Sequence, residues 1–160
     1  MSRNLVVGDV FEVRMNDSTK RFFQYMANDE TQLNSDVVRV FRKAYGMNES
    51  PDLLSVTKGD VDFHAHVFLG IGIKQQFWKK VGHEQPPSDV DVLFRDTNDY
   101  GDPDIKVSKN WYVWRVNGPF KDVGELRPRY EEAEIGVVVP PDSLLYRMRN
   151  GQYDFVYPQY

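Results

Sequence analysis

Bulky apolar side chains are densest in residues 109–116, which read Lys-Asn-Trp-Tyr-Val-Trp-Arg-Val. Because side chains alternate between the two faces of a strand, Trp111 and Val113 share one face while Tyr112 and Trp114 share the other. Bulky residues on both faces are typical of a strand that is covered on both sides. The pattern therefore predicts a central strand that holds the acidic loop before it on a rigid edge.

Alternation with period two predicts further strands. Residues 10–15 and 21–27 alternate on either side of the polar run 16–20, whose Asn, Asp and Ser residues are typical turn formers, so the three segments predict a hairpin. Other strands are predicted at residues 36–41, 53–57, 61–68, 91–95, 105–107, 134–139 and 153–157.

Two segments have the pattern of a helix. Apolar residues recur at a spacing of four in residues 69–81, and Gly82 follows them, which predicts an amphipathic helix. Residues 144–150 follow capping residues and precede Gly151, which predicts a second, shorter helix. Residues 121–132 are charged and weakly periodic and predict an exposed excursion.

The 160 residues contain no repeat, low-complexity tract or linker long enough to divide them. A chain of this length buries roughly 70% of its unfolded surface, which is enough for one stable core. We therefore expect a single domain over residues 1–160. Its class is predicted to be α+β and strand-dominated, with a curved or barrel-like, mostly antiparallel sheet and two short flanking helices.

Charge and cysteine content narrow the possible partners. The net charge of −4 and the pI near 5.4 argue against a nucleic-acid partner, because phosphate-backbone binders carry a basic face. The absence of cysteine excludes disulfides and fits a reducing cytoplasm. No apolar run approaches the roughly 18 residues of a membrane helix, and the start lacks the apolar run of a signal peptide. The sequence therefore predicts no membrane partner and a cytoplasmic location.

One predicted strand carries a candidate metal face. Asp62, His64 and His66 have the same parity as Asp60, so a regular strand would place all four side chains on its outer face. Two imidazoles at positions i and i+2, together with a carboxylate, can chelate zinc. The alternative is a solvated polar face, because one strand cannot supply all the ligands.

Residues 96–104 contain several acidic side chains close in sequence to an aromatic one, Tyr100. Asp96 and Asn98 match the start of an EF-hand loop, but position five is Tyr100 and position twelve is Val107, so a calcium site is not predicted. Acidic residues around an aromatic side chain suit binding to a basic protein surface. The alternative interpretation is a solvated loop whose carboxylates cap its own backbone amides. The candidate partner-binding residues are Asp96, Asp99, Tyr100, Asp102 and Asp104.

The sequence contains no recognisable catalytic motif. Ser143 lies in no Gly-x-Ser-x-Gly elbow, and no pair of glycines completes a phosphate-binding loop. Glu131, Glu132 and Glu134 could hold an acid–base pair, but such a cluster of charges is more typical of a solvated face. We therefore expect a binding protein without a cofactor rather than an enzyme. A small metal-binding hydrolase or ligand-binding protein that uses residues 60–66 is the alternative.

Residues 7–13 read Val-Gly-Asp-Val-Phe-Glu-Val and precede an aromatic-rich partner strand and a later tryptophan-bearing strand. This combination resembles the immunity protein 26 family of bacterial polymorphic-toxin systems. The resemblance implies a small, strand-dominated α+β protein that neutralises a cognate toxin by binding it, with no established catalytic residues to carry over. The acidic balance of the chain would suit a basic toxin.

Overall fold

The computed structural model describes residues 4–160. In chain order its strands are β1 (Asp9–Arg14), β2 (Thr19–Asp29), β3 (Ser35–Phe41), β4 (Tyr45–Gly46), β5 (Val61–Val67), β6 (Lys79–His83), β7 (Leu93–Thr97), β8 (Trp111–Arg115), β9 (Lys121–Gly124) and β10 (Glu134–Ile135). Its helices are α1 (Leu53–Thr57), α2 (Leu69–Lys74) and α3 (Pro141–Asn150). The predicted strand-dominated α+β class is confirmed, with three short helices in place of the two expected.

The strands form two open sheets. The larger sheet has the order β5-β3-β2-β1-β6, with β4 added to β2, and all of its pairings are antiparallel. The smaller sheet has the order β10-β7-β8-β9 and is antiparallel except between β10 and β7. Mostly antiparallel pairing is therefore confirmed, and neither sheet closes into a barrel within residues 4–160.

Strands β1 and β2 form the predicted hairpin. Its turn is held by Asn16, whose Oδ1 accepts hydrogen bonds from the backbone N–H groups of Ser18 and Thr19, both at 2.8 Å. Such bonds from a short polar side chain to its own backbone fix the register of the two strands. Strand β2 is buried along most of its length on both faces, so other parts of the chain cover the larger sheet on both sides.

The main core lies on one face of the larger sheet. Phe11, Phe23 and Phe63 come from three strands of that sheet and pack beneath Leu144 of α3 and Trp78. The Phe23 ring stacks on Phe11 at 5.3 Å and meets Trp78 edge-on at 5.1 Å between centroids. Each such buried side chain contributes roughly 1.5–3 kcal/mol of transfer free energy, which makes this cluster the principal source of stability.

The smaller sheet packs against the opposite face of the larger one. Phe94 and Trp114 contact Met26 and Val37 there. Trp111 lies on the other face of β8, and both tryptophans are almost completely buried. Because β8 lies between β7 and β9, the predicted central strand is confirmed as an inner strand of this sheet.

The predicted helix at residues 69–81 is wrong in its second half. Helix α2 ends at Lys74, the chain turns at Gln76 with φ of 65°, and residues 79–83 pair with β1 as an edge strand. The indole N–H of Trp78 donates to the carbonyl of Leu69 at 3.1 Å and so holds the reversed chain against the helix. A spacing of four between apolar residues cannot reveal such a reversal.

Several shorter segments also differ from their predictions. Residues 105–107 form no strand apart from a single bridge at Val107, and the strand predicted at residues 134–139 ends at Ile135. Residues 53–57 form α1 rather than a strand, and residues 121–124 form β9 within the predicted excursion. Residues 153–157 belong to no strand, although Gln159 makes a single parallel bridge to Val107. Short segments depend on tertiary partners more than on local pattern, which explains these errors. No helix within residues 4–160 combines the length and the apolar character needed to cross a membrane.

Gly72→Ala is expected to lower the free energy of unfolding by about 1–3 kcal/mol, because its Cβ would overlap the Trp78 indole ring. Gly70→Ala, in the same helix, is the matched control, since a Cβ there meets no atom within 4 Å. That control should raise the free energy of unfolding by up to about 1 kcal/mol. Urea denaturation measures both changes, and equal values for the two variants would contradict the packing of Trp78 on α2.

Candidate functional site

The predicted acidic loop, residues 96–104, is divided between the interior and the surface. Asp96 is buried at the end of β7, and Asp99 is half-buried. Asp102 and Asp104 are exposed. The four carboxylates therefore do not form one surface cluster, and two of them are fully available to a partner.

Asp96 anchors the C-terminal segment. Its Oδ1 accepts a hydrogen bond from the Tyr157 hydroxyl at 2.9 Å and another from the backbone N–H of Thr97 at 2.8 Å. Burial raises the pKa of Asp96, against these hydrogen bonds, which act to lower it. Burial and the Asp96 charge together raise the pKa of Tyr157. The Asp96 carboxylate therefore has an internal role, contrary to its predicted contact with a partner.

Asp99 closes the loop on itself. Its Oδ2 accepts hydrogen bonds from Ser108 Oγ at 2.7 Å and from Asn110 Nδ2 at 3.3 Å. Asp102 Oδ1 accepts a hydrogen bond from the backbone N–H of Asp104 at 2.9 Å. The alternative prediction, a loop whose carboxylates bond to their own segment, therefore describes much of this region. These bonds also fix the shape of the loop.

An apolar cleft lies between the loop and the C-terminal segment. Its volume is about 520 Å³, and it is lined by residues from the ranges 101–107 and 156–159. Two backbone hydrogen bonds of 2.9 Å, from Ser108 N to Gln159 O and from Gln159 N to Lys106 O, join the two walls. Val107 and Val156 on these walls are 53% and 84% exposed. We refer to this feature as the tail cleft.

Exposed carboxylates lie in and beside the tail cleft. Asp102 is one of its lining residues, Asp104 is exposed in the same loop, and Asp154 is exposed and close enough for its charge to act on Tyr100. Lys106 contributes a cation to the lining. Tyr100 lies beside the cleft, with its ring 5.8 Å from that of Phe155. The tail cleft therefore combines apolar walls with a predominantly acidic rim.

The contribution of the C-terminal segment was not predicted from the sequence. Residues 153–157 have the alternation of a strand, but they form none, and Val156 and Tyr157 of this segment line the tail cleft. A signal was available in Pro158, because a proline directly after an aromatic run argues against an inner strand.

The candidate metal ligands on β5 lie apart. The pairing of β5 with β3 shifts register at Phe41, which leaves Asp62 as an extra residue on β5. Val61 and Phe63 consequently pack in different apolar clusters, so the strict alternation predicted for this strand is wrong at its start. Asp62 forms an ion pair with Arg21 at 3.0 Å.

The two histidines of β5 have separate partners. The backbone N–H of His64 donates to Glu134 Oε2 at 2.7 Å, and its Nδ1 lies 3.5 Å from the same oxygen. His66 is fully buried rather than on a solvated outer face, because the smaller sheet covers it, with the Phe94 ring 4.3 Å away. Within residues 4–160, no three His, Cys, Asp or Glu side chains converge in a way that could hold a metal ion.

The partner of His66 is the buried carboxylate of Asp29. Its Oδ2 lies 2.9 Å from His66 Nε2 and accepts the indole N–H of Trp114 at 3.0 Å. Its Oδ1 accepts backbone N–H groups from Asn117 at 2.9 Å and Thr31 at 3.1 Å. An ionised carboxylate can only accept, so His66 carries its proton on Nε2.

Burial and hydrogen bonding oppose each other at this junction. Burial acts to raise the pKa of Asp29, but hydrogen bonds from His66, Asn117 and Trp114 outweigh it and lower that pKa. Burial lowers the pKa of His66, against the Asp29 carboxylate, which acts to raise it. An aspartate–imidazole pair can carry out acid–base chemistry, but both side chains are fully buried, so no substrate reaches this one. The pair is therefore structural.

Comparison with known proteins assigns no family to the chain. No protein-family model, no curated protein and no solved structure matches it. The immunity protein 26 resemblance therefore stays a prediction, and the case for a function depends on the tail cleft and the chemistry of its rim.

Asp29→Asn is expected to lower the free energy of unfolding by about 2–4 kcal/mol, because an amide nitrogen would face N–H donors in place of one oxygen. Asp96→Asn is the matched control. Oδ1 of Asp96 accepts the bonds from Tyr157 and Thr97, and an amide keeps an acceptor there. The Tyr112 hydroxyl, which also bonds to this carboxylate, can accept from an amide, so the substitution mainly removes a buried charge. We expect a change within about 1 kcal/mol for the control. Urea denaturation at neutral pH compares them, and equal losses would contradict a special role for Asp29.

Stability is expected to fall as the pH drops below about 6.5, the ordinary histidine pKa. The pKa of His66 is lower in the folded protein than in the unfolded chain, so the unfolded chain takes up a proton on this histidine at a higher pH. The stability that is present above the unfolded-state pKa is therefore lost as the pH falls through the folded-state pKa. His66→Gln, whose amide can also donate to Asp29, should flatten the dependence between about pH 6.5 and 5. Unfolding curves with the same pH slope for both proteins would contradict this expectation.

Proposed function

We propose that this chain is an immunity-type protein that binds and neutralises a cognate bacterial toxin through the tail cleft. The observation that carries the proposal is the combination of exposed apolar walls, which include Val107 and Val156, with an acidic rim. Exposed apolar side chains rimmed by charged groups are typical of protein-interaction sites. The resemblance of residues 7–13 to the immunity protein 26 family supports the same class of function.

Charge supports a basic partner. The chain has a net charge of −4, and Asp102, Asp104 and Asp154 are exposed around the tail cleft. Complementary charge accelerates the encounter between two proteins and makes their association dependent on salt. A toxin with a basic surface, as in enzymes that act on nucleic acid, therefore fits this rim.

The walls of the tail cleft are held in place before any partner arrives. Asp99 ties the loop wall through Ser108, and Asp96 ties the opposite wall through Tyr157. A preorganised surface loses little conformational entropy on binding. Neutralisation by covering the toxin's surface requires such a surface and no chemistry of its own. We propose that this binding takes place in the cytoplasm.

Co-expression with the product of the adjacent gene, followed by affinity purification at low salt, tests the proposal. Val156→Lys is expected to weaken the association at least about tenfold, because it places a charge on the apolar wall. The variant should fold, since Val156 is 84% exposed. Leu33→Lys is the matched control: Leu33 is 71% exposed, in the turn between β2 and β3, and the variant should associate as the wild type does.

The double variant Asp102→Lys, Asp104→Lys tests the charge of the rim. It is expected to associate more slowly than the wild type and to show a weaker dependence on salt, because the electrostatic attraction is reversed at two positions. Stopped-flow association rates at several salt concentrations measure this. If no toxin gene lies next to this one, or if the pair fails to associate at low salt, the proposed function is wrong.

A further inference from the structure

A second cavity lies between the end of α3 and the C-terminal segment and shares Val156 and Tyr157 with the tail cleft. Ligand binding in this cavity does not require the proposed function. The volume of the cavity is about 440 Å³, and its walls include Ile135, Arg147, Tyr153 and Phe155. Helix α3 ends at Asn150 and is capped by Gly151, whose φ of 83° lets the chain reverse, so that Tyr153 returns to lie beside Arg147. We refer to this cavity as the Arg147 pocket.

Aromatic rings fix the Arg147 guanidinium. Its central carbon lies 3.9 Å from the centroid of the Phe63 ring and 4.8 Å from that of Tyr153. The carboxylate beside it is Glu134, with Oε1 3.9 Å from Nη2, which is beyond hydrogen-bond distance. The other oxygen of Glu134 accepts the backbone N–H of His64. Glu134 therefore forms an ion pair with the guanidinium but accepts no hydrogen bond from it.

The hydroxyl of Tyr153 is a second donor in the same wall. It is buried and has no hydrogen-bond acceptor among residues 4–160, although the Arg147 guanidinium beside it acts to lower its pKa. Burial raises the pKa of Tyr153 to about 12, so the hydroxyl keeps its proton at neutral pH. Buried polar groups nearly always have a partner, and an unpaired donor in a cavity wall marks a place for an acceptor.

We propose that the Arg147 pocket binds a carboxylate attached to an aromatic or other apolar body. The planar guanidinium matches a carboxylate with two parallel hydrogen bonds, and the Tyr153 hydroxyl supplies a third donor. Phe155 and Ile135 offer apolar surface to the body of the ligand. Because Glu134 already offsets part of the guanidinium charge, each further negative charge on a ligand is less favourable, so the pocket suits a monocarboxylate better than a phosphate dianion.

Titration of the ¹⁵N-labelled protein with benzoate, followed by NMR, tests this site. Benzoate should cause saturable shifts at Gly151, Gln152 and the Arg147 side chain, with a dissociation constant in roughly the millimolar range. Benzamide has the same shape without the charge and should bind at least about tenfold more weakly. Inorganic phosphate should also bind more weakly than benzoate.

Variants assign the binding to named groups. Arg147→Gln should abolish the saturable shifts, whereas Arg149→Gln should retain them, because Arg149 lies in the same helical turn but is exposed and donates to the Arg14 carbonyl. Tyr153→Phe should weaken binding about three- to tenfold. If Arg147→Gln does not give a folded amide spectrum, Arg147→Lys replaces it and should weaken binding about tenfold, since it keeps the charge but loses the planar fork.

Three results would overturn the proposal. The first is the absence of saturable shifts at these residues with benzoate at tens of millimolar. The second is equal binding of benzoate and benzamide, which would show that the guanidinium does not recognise the charge. The third is unchanged benzoate binding in the folded Arg147 variant.

Discussion

The arrangement of the two sheets depends on the buried carboxylate of Asp29. It belongs to β2 of the larger sheet, and it accepts donors from His66 of that sheet and from Trp114 and Asn117 on the side of the smaller sheet. A buried charge needs hydrogen-bond partners, and separation of the sheets would remove two of the four donors to this carboxylate, those of Trp114 and Asn117. One side chain therefore couples the packing of both sheets.

The same junction sets the position of the tail cleft. Strand β8 carries Trp114 toward Asp29 and Trp111 on its opposite face, where the Trp111 ring lies 5.9 Å from that of Tyr157. Strand β7, its neighbour, carries Asp96 near its end, and the Asp96 carboxylate accepts a hydrogen bond from the Tyr157 hydroxyl. Strands β7 and β8 thus hold the walls of the cleft on one face and, through Trp114, contact Asp29 on the other.

Period-two patterns correctly predicted the hairpin of β1 and β2 and the inner strand β8. In these elements the local sequence alone determines which side chains lie on each face. They failed where one residue changes the count, as Asp62 does at the bulge of β5, and where the chain reverses after α2. The acidic loop was found from its composition. Its inner carboxylate was not recognised, because its partner Tyr157 is 61 residues away and no local pattern reports such a contact.

Hydrogen exchange of the chain, alone and mixed with the product of the adjacent gene, tests most directly whether the tail cleft is a binding surface. The walls of the cleft within residues 101–107 and 156–159 are expected to gain protection in the mixture, while the exposed edge strand β6 exchanges as before. Unchanged exchange at the cleft walls, with protection at β6 or at another surface, would contradict a role for the tail cleft in binding.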